Sequence, residues 1–377
     1  MSRLKAEVIL PKDYCGQEGY PFIEFARPRP LALLERDVLG TYAQFNCGLA
    51  HAFIGSVENV QVFGPGFILT EDGHCLLHGL THANYPRNLE IQLQGYLVGK
   101  LVDADIELDV CDSPSFIDDE VVLLWGSQNF GHWLFTYLHR LVLLSYYPKL
   151  RDRKILVLDD TPRRYTAWLA RMGIADEQLV RAKDCSGVAR LWVPSVLHYR
   201  GHYADMNAYT SPDAVHLFRN QILHQRSLVI LHEEKRERIY LSRAKAKWRK
   251  VVNEEELVAR LEQLNVRRVF IEELSVDEQI DVISRAELIL LFAGGASPIT
   301  MLAPKDASII ELCLPGFAGI FGSRIWAQIL GQAFSRIDAI PVDSGGAMFN
   351  PETDRDGIVP VDKVCELITT ADRERYG

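Results

Sequence analysis

The pattern of hydrophobic and polar positions changes near residue 125. Before that point the chain reads as short strands and turns. Val60 to Leu69 holds two apolar runs around a Gly-Pro-Gly turn, and Glu90 to Val98 alternates apolar and polar residues. After it, short apolar runs alternate with helical periodicity, which is typical of parallel β-α-β units. The pattern predicts an α/β protein with a β-rich N-terminal extension.

The first alternating part extends from Val121 to about His224. Its predicted elements are the strand Val121–Trp125, the helix Asn129–Tyr147, the strand Lys154–Asp159, the helix Pro162–Met172, the strand Ala189–Leu197 and the helix Ser211–His224. Proline at the first helical position favours the second of these helices.

The second alternating part is more regular. Its predicted strands are 238–242, 267–271, 288–292, 308–312 and a weaker 336–341, and a helix over 361–373 ends it. Asn253-Glu-Glu-Glu and Ser275-Val-Asp-Glu each read as a capping box that opens a helix. Because these strands are apolar throughout, they are expected in a parallel sheet with both faces covered. We predict one domain over 1–230 and a second over 231–377.

Composition narrows the class of protein. The chain has 377 residues, 48% of them hydrophobic and 24% charged, which fits two globular domains. A net charge of −9 argues against nucleic-acid binding. Seven scattered cysteines without a C-x-x-C pair suggest free core thiols rather than a zinc site. No apolar run approaches the ~20 residues of a membrane span, and the N-terminus is charged, so we expect a cytoplasmic protein.

A glycine turn is the first candidate site. Gly294, Gly295, Ala296 and Ser297 follow a predicted buried strand and precede a predicted helix. Backbone N–H groups and the helix dipole at such a turn favour an anion, but a tight turn that needs positive φ explains the glycines equally well. The sequence lacks both G-x-G-x-x-G and the P-loop pattern, so a nicotinamide oxidoreductase or a P-loop enzyme has little support.

Two neighbouring strand ends carry charged residues. Ser242 and Arg243 end the strand before the basic run Lys245 to Lys250, and arginine pairs bidentately with phosphate oxygens. The run itself reads most simply as a solvated loop, in which Lys247 is kept as a candidate contact. Glu311 lies in an apolar strand, where a carboxylate is costly unless it is paired or at the strand end, and there it could bind a ribose diol.

His132 lies at a predicted strand-to-helix junction, in Asn129-Phe-Gly-His-Trp. A histidine there can act as a general base near neutral pH, although a lone histidine is more often structural. Asp103-Ala-Asp105 has the spacing of a metal motif, but with 50 acidic residues in the chain such a spacing arises by chance.

Several segments, in order, resemble glycosyltransferase family 61. Asn129-Phe-Gly-His-Trp-Leu-Phe-Thr-Tyr-Leu-His-Arg-Leu is similar to that family's N-[YF]-G-H-W-L-x-E-x-L-P-R-L. Arg238-Ile-Tyr-Leu-Ser-Arg, Val252-Asn-Glu-Glu-Glu and Glu273-Leu-Ser-Val-Asp-Glu-Gln-Ile resemble its later motifs. Ala293-Gly-Gly-Ala and Ile309-Ile-Glu-Leu fall where the family has H-G-A-G-L-T-N and V-I-E-L. The resemblance covers roughly Val60 to Leu314.

The resemblance implies a GT-B-like fold, in which two Rossmann-like domains face a cleft. It also implies an inverting, metal-independent transferase in polysaccharide or other glycoconjugate assembly, which moves a sugar from a nucleotide-sugar donor to a glycan acceptor and needs no cofactor. Carried over by position, the donor contacts are Ser242, Arg243, Lys247, Glu273, Leu274, Gly294, Gly295, Ala296, Ser297 and Glu311. Asn129 and His132 would serve the acceptor side, with His132 as the catalytic base.

Several positions depart from the family pattern, and Pro298-Ile-Thr300 stands in place of its L-T-N. Ala293 replaces a histidine, Thr136 a glutamate and His139 a proline. The first two motivate an alternative function, a divergent member that binds a nucleotide or a glycan without transferring sugar.

Overall fold

The computed structural model describes residues 2–9, 24–26, 34–36, 42–44, 52–64, 66–76, 105–111, 114–200, 208–224, 236–315, 323–342 and 355–376. The predicted strand 90–98 and Asp103 lie outside these residues. The chain divides into two compact units, Met1–Phe218 and Arg219–Gly377. This division falls before the predicted one at 230/231, within the helix Pro212–His224.

The strands of the first unit are β1 (Ser2–Ile9), β2 (Glu24–Ala26), β3 (Leu34–Arg36), β4 (Tyr42–Gln44), β5 (Ile54–Phe63), β6 (Phe67–Leu69), β7 (His74–Leu76), β8 (Asp105–Val110), β9 (Phe116–Leu123), β10 (Lys154–Leu158), β11 (Leu179–Ala182), β12 (Ser186–Pro194), β13 (His198–Arg200) and β14 (Ala208–Thr210). The second unit contains β15 (Glu237–Leu241), β16 (Arg267–Val269), β17 (Ala286–Phe292), β18 (Ser308–Cys313), β19 (Ala333–Asp338), β20 (Ile340–Val342) and β21 (Asp356–Ile358).

One ten-stranded sheet organises the first unit. Its order is β11-β10-β9-β12-β5-β6-β7-β1-β8, with β2 paired to β5. The strands from β11 to β12 are parallel, and β12 then pairs antiparallel with β5. The β-rich segment is therefore not a separate extension, because its strands continue the same sheet as the β-α-β part. The first unit also contains a separate four-stranded sheet in the order β13-β14-β3-β4.

The predicted helix after β9 is helical along its whole length but changes its winding. It begins as α1 (Phe130–His132), continues as the π-helical turn Trp133–Tyr137 and ends as the 3-10 helix Leu138–Tyr146. The next predicted helix is α2 (Arg163–Thr166) followed by the 3-10 turn Ala167–Met172, and α3 (Pro212–His224) agrees with its prediction.

The second unit contains a five-stranded sheet in the order β16-β15-β17-β18-β19, and every pair in it is parallel. The central strands β17 and β18 are buried along almost their whole length, as their apolar sequences predict. The helices α4 (Glu254–Gln263), α5 (Val276–Arg285), α6 (Ser323–Leu330) and α7 (Val361–Tyr376) accompany this sheet. None of the described helices is long and apolar enough to cross a bilayer.

One capping box is confirmed and one is wrong. Ser275 Oγ accepts a hydrogen bond from Glu278 N, and the Glu278 carboxylate accepts one from Ser275 N, so α5 opens as predicted. Asn253 makes no side-chain cap on α4. Its amide instead pairs with the backbone of Val359, because Nδ2 donates to Val359 O and Oδ1 accepts from Val359 N, both at 2.9 Å.

The helix expected after the glycine turn is a short 3-10 helix rather than an α-helix. Residues Ser297–Leu302 form a six-residue 3-10 helix with Pro298 near its start. It stops at Ala303 because a residue before proline, here Pro304, is pushed out of helical geometry. A helix this short adds little dipole to an anion site.

Candidate functional site

Three parallel strands of the second unit end at a common edge. Leu241 of β15, Leu291 of β17 and Glu311 of β18 lie in one row across the sheet. Arg243 follows β15 and Gly294 follows β17, so the two loops leave neighbouring strands side by side. In open parallel sheets this edge is where ligands bind.

The Arg243 guanidinium lies directly against Gly294. A Cβ at Gly294 would lie 2.8 Å from Arg243 Cζ and closer still to Nη1, which is possible only if the guanidinium moves. Arg243 Nε donates to Arg249 O at 3.0 Å and Nη2 donates to Trp248 O at 2.8 Å. Arg249 itself has a φ of 59°, which closes the loop around these carbonyls. The loop therefore holds the cation at the turn.

The glycine turn is tied down from within. Gly294 N donates to Ser297 Oγ at 3.0 Å, so this amide already has a partner. Gly294 and Ser297 are buried, whereas Gly295 and Ala296 are partly exposed. Ala293, where the family has histidine, is 1% exposed, and its N–H donates to Leu312 O. Of the predicted turn contacts, Gly295 and Ala296 are the two with accessible surface.

Glu311 lies beneath that turn. Its side chain is 1% exposed, and Oε1 accepts hydrogen bonds from Ser323 N at 2.9 Å, from Ser323 Oγ at 3.2 Å and from Ser297 Oγ at 3.4 Å. Burial raises the pKa of this carboxyl, and the Ser323 hydrogen bonds and Arg336 oppose that rise. In this conformation Glu311 joins the glycine turn to the start of α6, and it presents no exposed oxygen for a ribose.

A second buried carboxylate lies beneath the Arg243 loop. Glu254, the first residue of α4, accepts hydrogen bonds through Oε1 from Tyr240 Oη and Ser242 Oγ, both at 2.7 Å. Ser242 Oγ in turn accepts from Ala244 N at 3.2 Å. Burial and the adjacent Glu254 raise the pKa of Tyr240. Ser242, predicted as a donor contact, is therefore buried and acts through the shape of the loop.

The basic run is only partly a solvated loop. Lys245 forms an ion pair with Glu273, and its ammonium lies 4.4 Å from the centroid of the Phe270 ring. The exposed Lys247 lies 4.6 Å from the Trp248 ring centroid. Leu274 is half-buried next to Glu273. Lys245 thus connects the Arg243 loop to Glu273, another of the predicted donor contacts.

In the first unit, Asn129 caps the helix that carries His132. Asn129 Oδ1 accepts from Gly131 N at 2.9 Å and from His132 N at 3.3 Å. The His132 ring is partly exposed and stacks on Phe135, with centroids 5.9 Å apart. His139, where the family has proline, is fully buried, and burial lowers its pKa to about 4, so it is neutral at physiological pH.

Sequence reasoning missed Ser323 and the role of Glu254. Glu254 had a local signal, an acid in the first turn of a helix that follows a strand ending in serine, but the segment was interpreted only as a capping box. Ser323 had none, because its contact with Glu311 is made by tertiary packing. Within the described residues, no group of three or more His, Cys, Asp or Glu side chains is arranged to hold a metal ion.

The sequence of residues 130–310 matches the family model Glycosyltransferase 61. This segment is a glycosyltransferase family 61 domain. It contains His132, Arg243 and the glycine turn, and it ends one residue before Glu311. The match is shorter at both ends than the resemblance over Val60 to Leu314. The protein is therefore a glycosyltransferase.

Among solved structures, this chain is similar to the dodecameric iron-containing heptosyltransferase TibC in complex with ADP-D-β-D-heptose (12% identity, 84% of this chain and 96% of that chain, TM-score 0.34). It is also similar to the E. coli heptosyltransferase WaaC with ADP (12% identity, 67% and 99%, TM-score 0.31). No relative was found among curated protein sequences.

Proposed function

We propose that this protein is an inverting, metal-independent glycosyltransferase with a GT-B-like arrangement, which takes its sugar from a nucleotide-diphosphate donor. The observation that carries the proposal is the Arg243 guanidinium held against Gly294 at the carboxyl edge of a parallel sheet, inside a family 61 domain. An anion bound to Gly295 and Ala296 would lie beside Arg243 Nη1. The acceptor would be a glycan or glycoconjugate in cytoplasmic polysaccharide assembly.

In the proposed mechanism, the acceptor hydroxyl displaces the nucleoside diphosphate at the anomeric carbon in a single step, which inverts that carbon. A base removes the hydroxyl proton, and His132 is assigned to this role because a neutral imidazole accepts protons near neutral pH. Arg243 stabilises the negative charge that develops on the departing diphosphate. Fixing the cation in advance is effective because it need not reorganise during the reaction.

Glu254 and Glu311 have positioning roles in this proposal. Each is buried and lies under one of the two loops that would hold the anion. Glu254 fixes Ser242 and the start of the Arg243 loop, and Glu311 fixes Ser297 and the glycine turn. The ribose contact assigned to Glu311 is replaced by this indirect role.

Calorimetric titration with UDP, GDP, CMP and ADP tests the donor site. We expect at least one nucleotide to bind, and Arg243→Ala to weaken it at least about tenfold, because charged hydrogen bonds contribute roughly 1.5–3 kcal/mol. Arg236→Ala is the matched control, since Arg236 forms an exposed ion pair with Asp306 at 3.0 Å in the same unit. Binding that is absent for all four nucleotides, or equal in Arg243→Ala and wild type, contradicts the proposal.

Inversion and metal independence need their own measurements. Proton NMR of the product should show the anomeric configuration opposite to that of the donor. Turnover should persist after dialysis against EDTA. Retained configuration, or activity restored only by an added divalent cation, would overturn these two parts and leave the donor site intact.

The second candidate function is nucleotide or glycan binding without transfer. It is favoured by Ala293, which is buried where the family has a histidine, and by Thr136, which replaces a glutamate. Donor hydrolysis and transfer measured over a panel of nucleotide sugars separates the two functions. Turnover that falls sharply in Arg243→Ala eliminates the binding-only function.

A further inference from the structure

Two cysteines of the first unit lie together although they are far apart in sequence. Cys111 directly follows β8, and Cys185 occupies the turn between β11 and β12 with a φ of 67°. Cys185 Sγ lies 3.1 Å from Cys111 N, from which it accepts a hydrogen bond. The Cys185 sulfur therefore lies against the backbone of Cys111, and the Cys111 thiol is near enough to contribute to the raised pKa of Cys185.

The surrounding hydrogen bonds keep the two segments side by side. Gln61 Nε2 donates to Cys185 Sγ at 2.8 Å and to Cys111 O at 3.3 Å. Further along, Gly187 N donates to Ser115 O at 2.9 Å, and the hydroxyls of Ser115 and Ser186 lie 3.2 Å apart. The approach of the two cysteines therefore does not depend on one flexible side chain.

The two thiols differ in accessibility. Cys111 is exposed, whereas Cys185 is partly buried, and burial raises the pKa of its thiol. An oxidant in solution therefore meets Cys111 first. Cys185 is placed to attack a sulfur that has already been activated on Cys111, since thiol–disulfide exchange proceeds through a mixed disulfide.

We propose that Cys111 and Cys185 form a two-cysteine oxidation site, which a low-molecular-weight disulfide such as oxidised glutathione converts into a Cys111–Cys185 disulfide. Cys111 thiolate attacks one glutathione sulfur, the S–S bond breaks and one glutathione thiolate leaves. Cys185 thiolate then attacks Cys111 Sγ and releases the second. The cysteines lose two electrons, the glutathione disulfide gains them, and both cysteine protons pass to the released glutathione thiolates.

The position of the Cys111–Cys185 disulfide determines which property of the protein it would affect. Phe116 and Gly187 pair at the amino ends of β9 and β12, next to the two cysteines. Asn129 and His132 follow the opposite, carboxyl end of β9. The disulfide would therefore lie near the amino ends of β9 and β12, whereas the candidate catalytic residues of this unit follow the carboxyl end of β9. Its expected effect is to stabilise this unit, because a bond between distant residues restricts the unfolded chain.

Equilibration of the intact protein with oxidised glutathione, followed by peptide mass spectrometry, tests the site. We expect a peptide pair joined through Cys111 and Cys185, and a rise in the thermal-unfolding midpoint of roughly 5–10 °C that dithiothreitol reverses. Cys185→Ser should keep glutathione on Cys111, and Cys111→Ser should show no cross-link. Cys365→Ser, in the other unit, is the control and should behave as wild type.

Two results would overturn the proposal. One is wild-type protein that carries glutathione on Cys111 without forming the cross-linked pair. The other is protein in which neither cysteine is oxidised under conditions that fully oxidise a dithiol peptide in the same tube. The peptide map of the wild type gives either answer without any variant having to fold.

Discussion

At the scale of single residues, the candidate site is defined by one missing side chain. Gly294 has no Cβ, and the space that a Cβ would occupy is filled by the Arg243 guanidinium. Here the glycine is required for close packing, whereas positive φ, the reason usually given for a glycine turn, applies at Gly173 with a φ of 77°. The roles of the two glycines can therefore be distinguished by mutation.

Gly294→Ala should displace the cation and spare the fold. The added methyl group meets the far end of a flexible side chain, which can move, so we expect a small loss of stability and at least about tenfold weaker nucleotide binding, or ~1.4 kcal/mol. Titration calorimetry with the bound nucleotide measures the change.

Gly173→Ala is the control for this change. No atom lies within 4 Å of the added Cβ, but φ stays left-handed, so we expect about 1–2 kcal/mol lower stability and unchanged binding. If both variants lose affinity equally, or Gly294→Ala loses none, the close approach of Arg243 has no role in binding.

The raised pKa of the buried Glu311 predicts that the free energies of unfolding of the wild type and of Glu311→Gln differ by an amount that depends on pH. Because its pKa is raised above the usual 4.5 in the folded state, the folded protein binds its proton more tightly than the unfolded chain does. Its contribution to stability is then full at low pH and falls as the pH rises from about 4.5 through the raised folded pKa. Glu311→Gln retains the Oε1 acceptor and cannot ionise.

We therefore expect Glu311→Gln to gain stability relative to wild type as the pH rises. Urea unfolding of both proteins at about pH 4 and about pH 8 gives the difference in the free energy of unfolding, in which other titrating groups cancel. A difference that is constant with pH, or that changes in the opposite direction, contradicts the raised pKa.

At the scale of helices and strands, two similar sequences have different roles. Ser275-Val-Asp-Glu caps its own helix, whereas Asn253-Glu-Glu-Glu uses its first side chain to bind the backbone of Val359, which precedes α7. The two variants Ser275→Thr and Asn253→Ser distinguish these roles because both introduce a good N-cap residue.

We expect Ser275→Ala to lower the free energy of unfolding by about 1 kcal/mol and Ser275→Thr to lower it by much less. Asn253→Ala should cost roughly 1–3 kcal/mol. Asn253→Ser should cost as much, because the serine side chain is shorter and has a single oxygen where asparagine places Nδ2 at Val359 O and Oδ1 at Val359 N. Chemical denaturation of the four variants measures these values. Full stability in Asn253→Ser would mean that capping, and not the pairing with Val359, is the role of this residue.

The same comparison shows what the sequence could predict. Patterns confined to one strand or helix were reliable: the apolar runs of β15, β17 and β18 predicted a parallel sheet, and the sheet places Arg243 beside Gly294. The contacts of Asn253, Glu254 and Glu311 could not be predicted, because each has a partner chosen by tertiary packing. The short helix after the glycine turn had a local cause, Pro304, whose effect on the preceding residue limits its length.

At the scale of the whole molecule, the second unit has a core of its own. Its main hydrophobic cluster runs from Tyr240 to Ile368 and includes no residue of the first unit. The two carboxylates that support the anion site, Glu254 and Glu311, also find their partners within this unit. The described residues that support the candidate donor site therefore lie within residues 219–377.

A fragment of residues 225–377 should consequently fold and bind nucleotide alone. We expect a cooperative urea transition and an affinity within about threefold of that of the intact chain, because the core and both supporting carboxylates are retained. Circular dichroism and calorimetry measure the two properties. A fragment that folds but has lost its affinity would show that the first unit contributes to donor binding.

The order of strands in the first unit has a consequence for synthesis on the ribosome. β12 lies between β9 and β5, and its antiparallel register joins Pro194 to Ile54 and Ser186 to Val62. β5, which is made more than 100 residues before β12 is finished, therefore has an open edge until residue 194 has emerged from the exit tunnel. Such an edge can pair with other chains. A chaperone that covers this edge during translation would protect it during the interval before β12 can pair with β5.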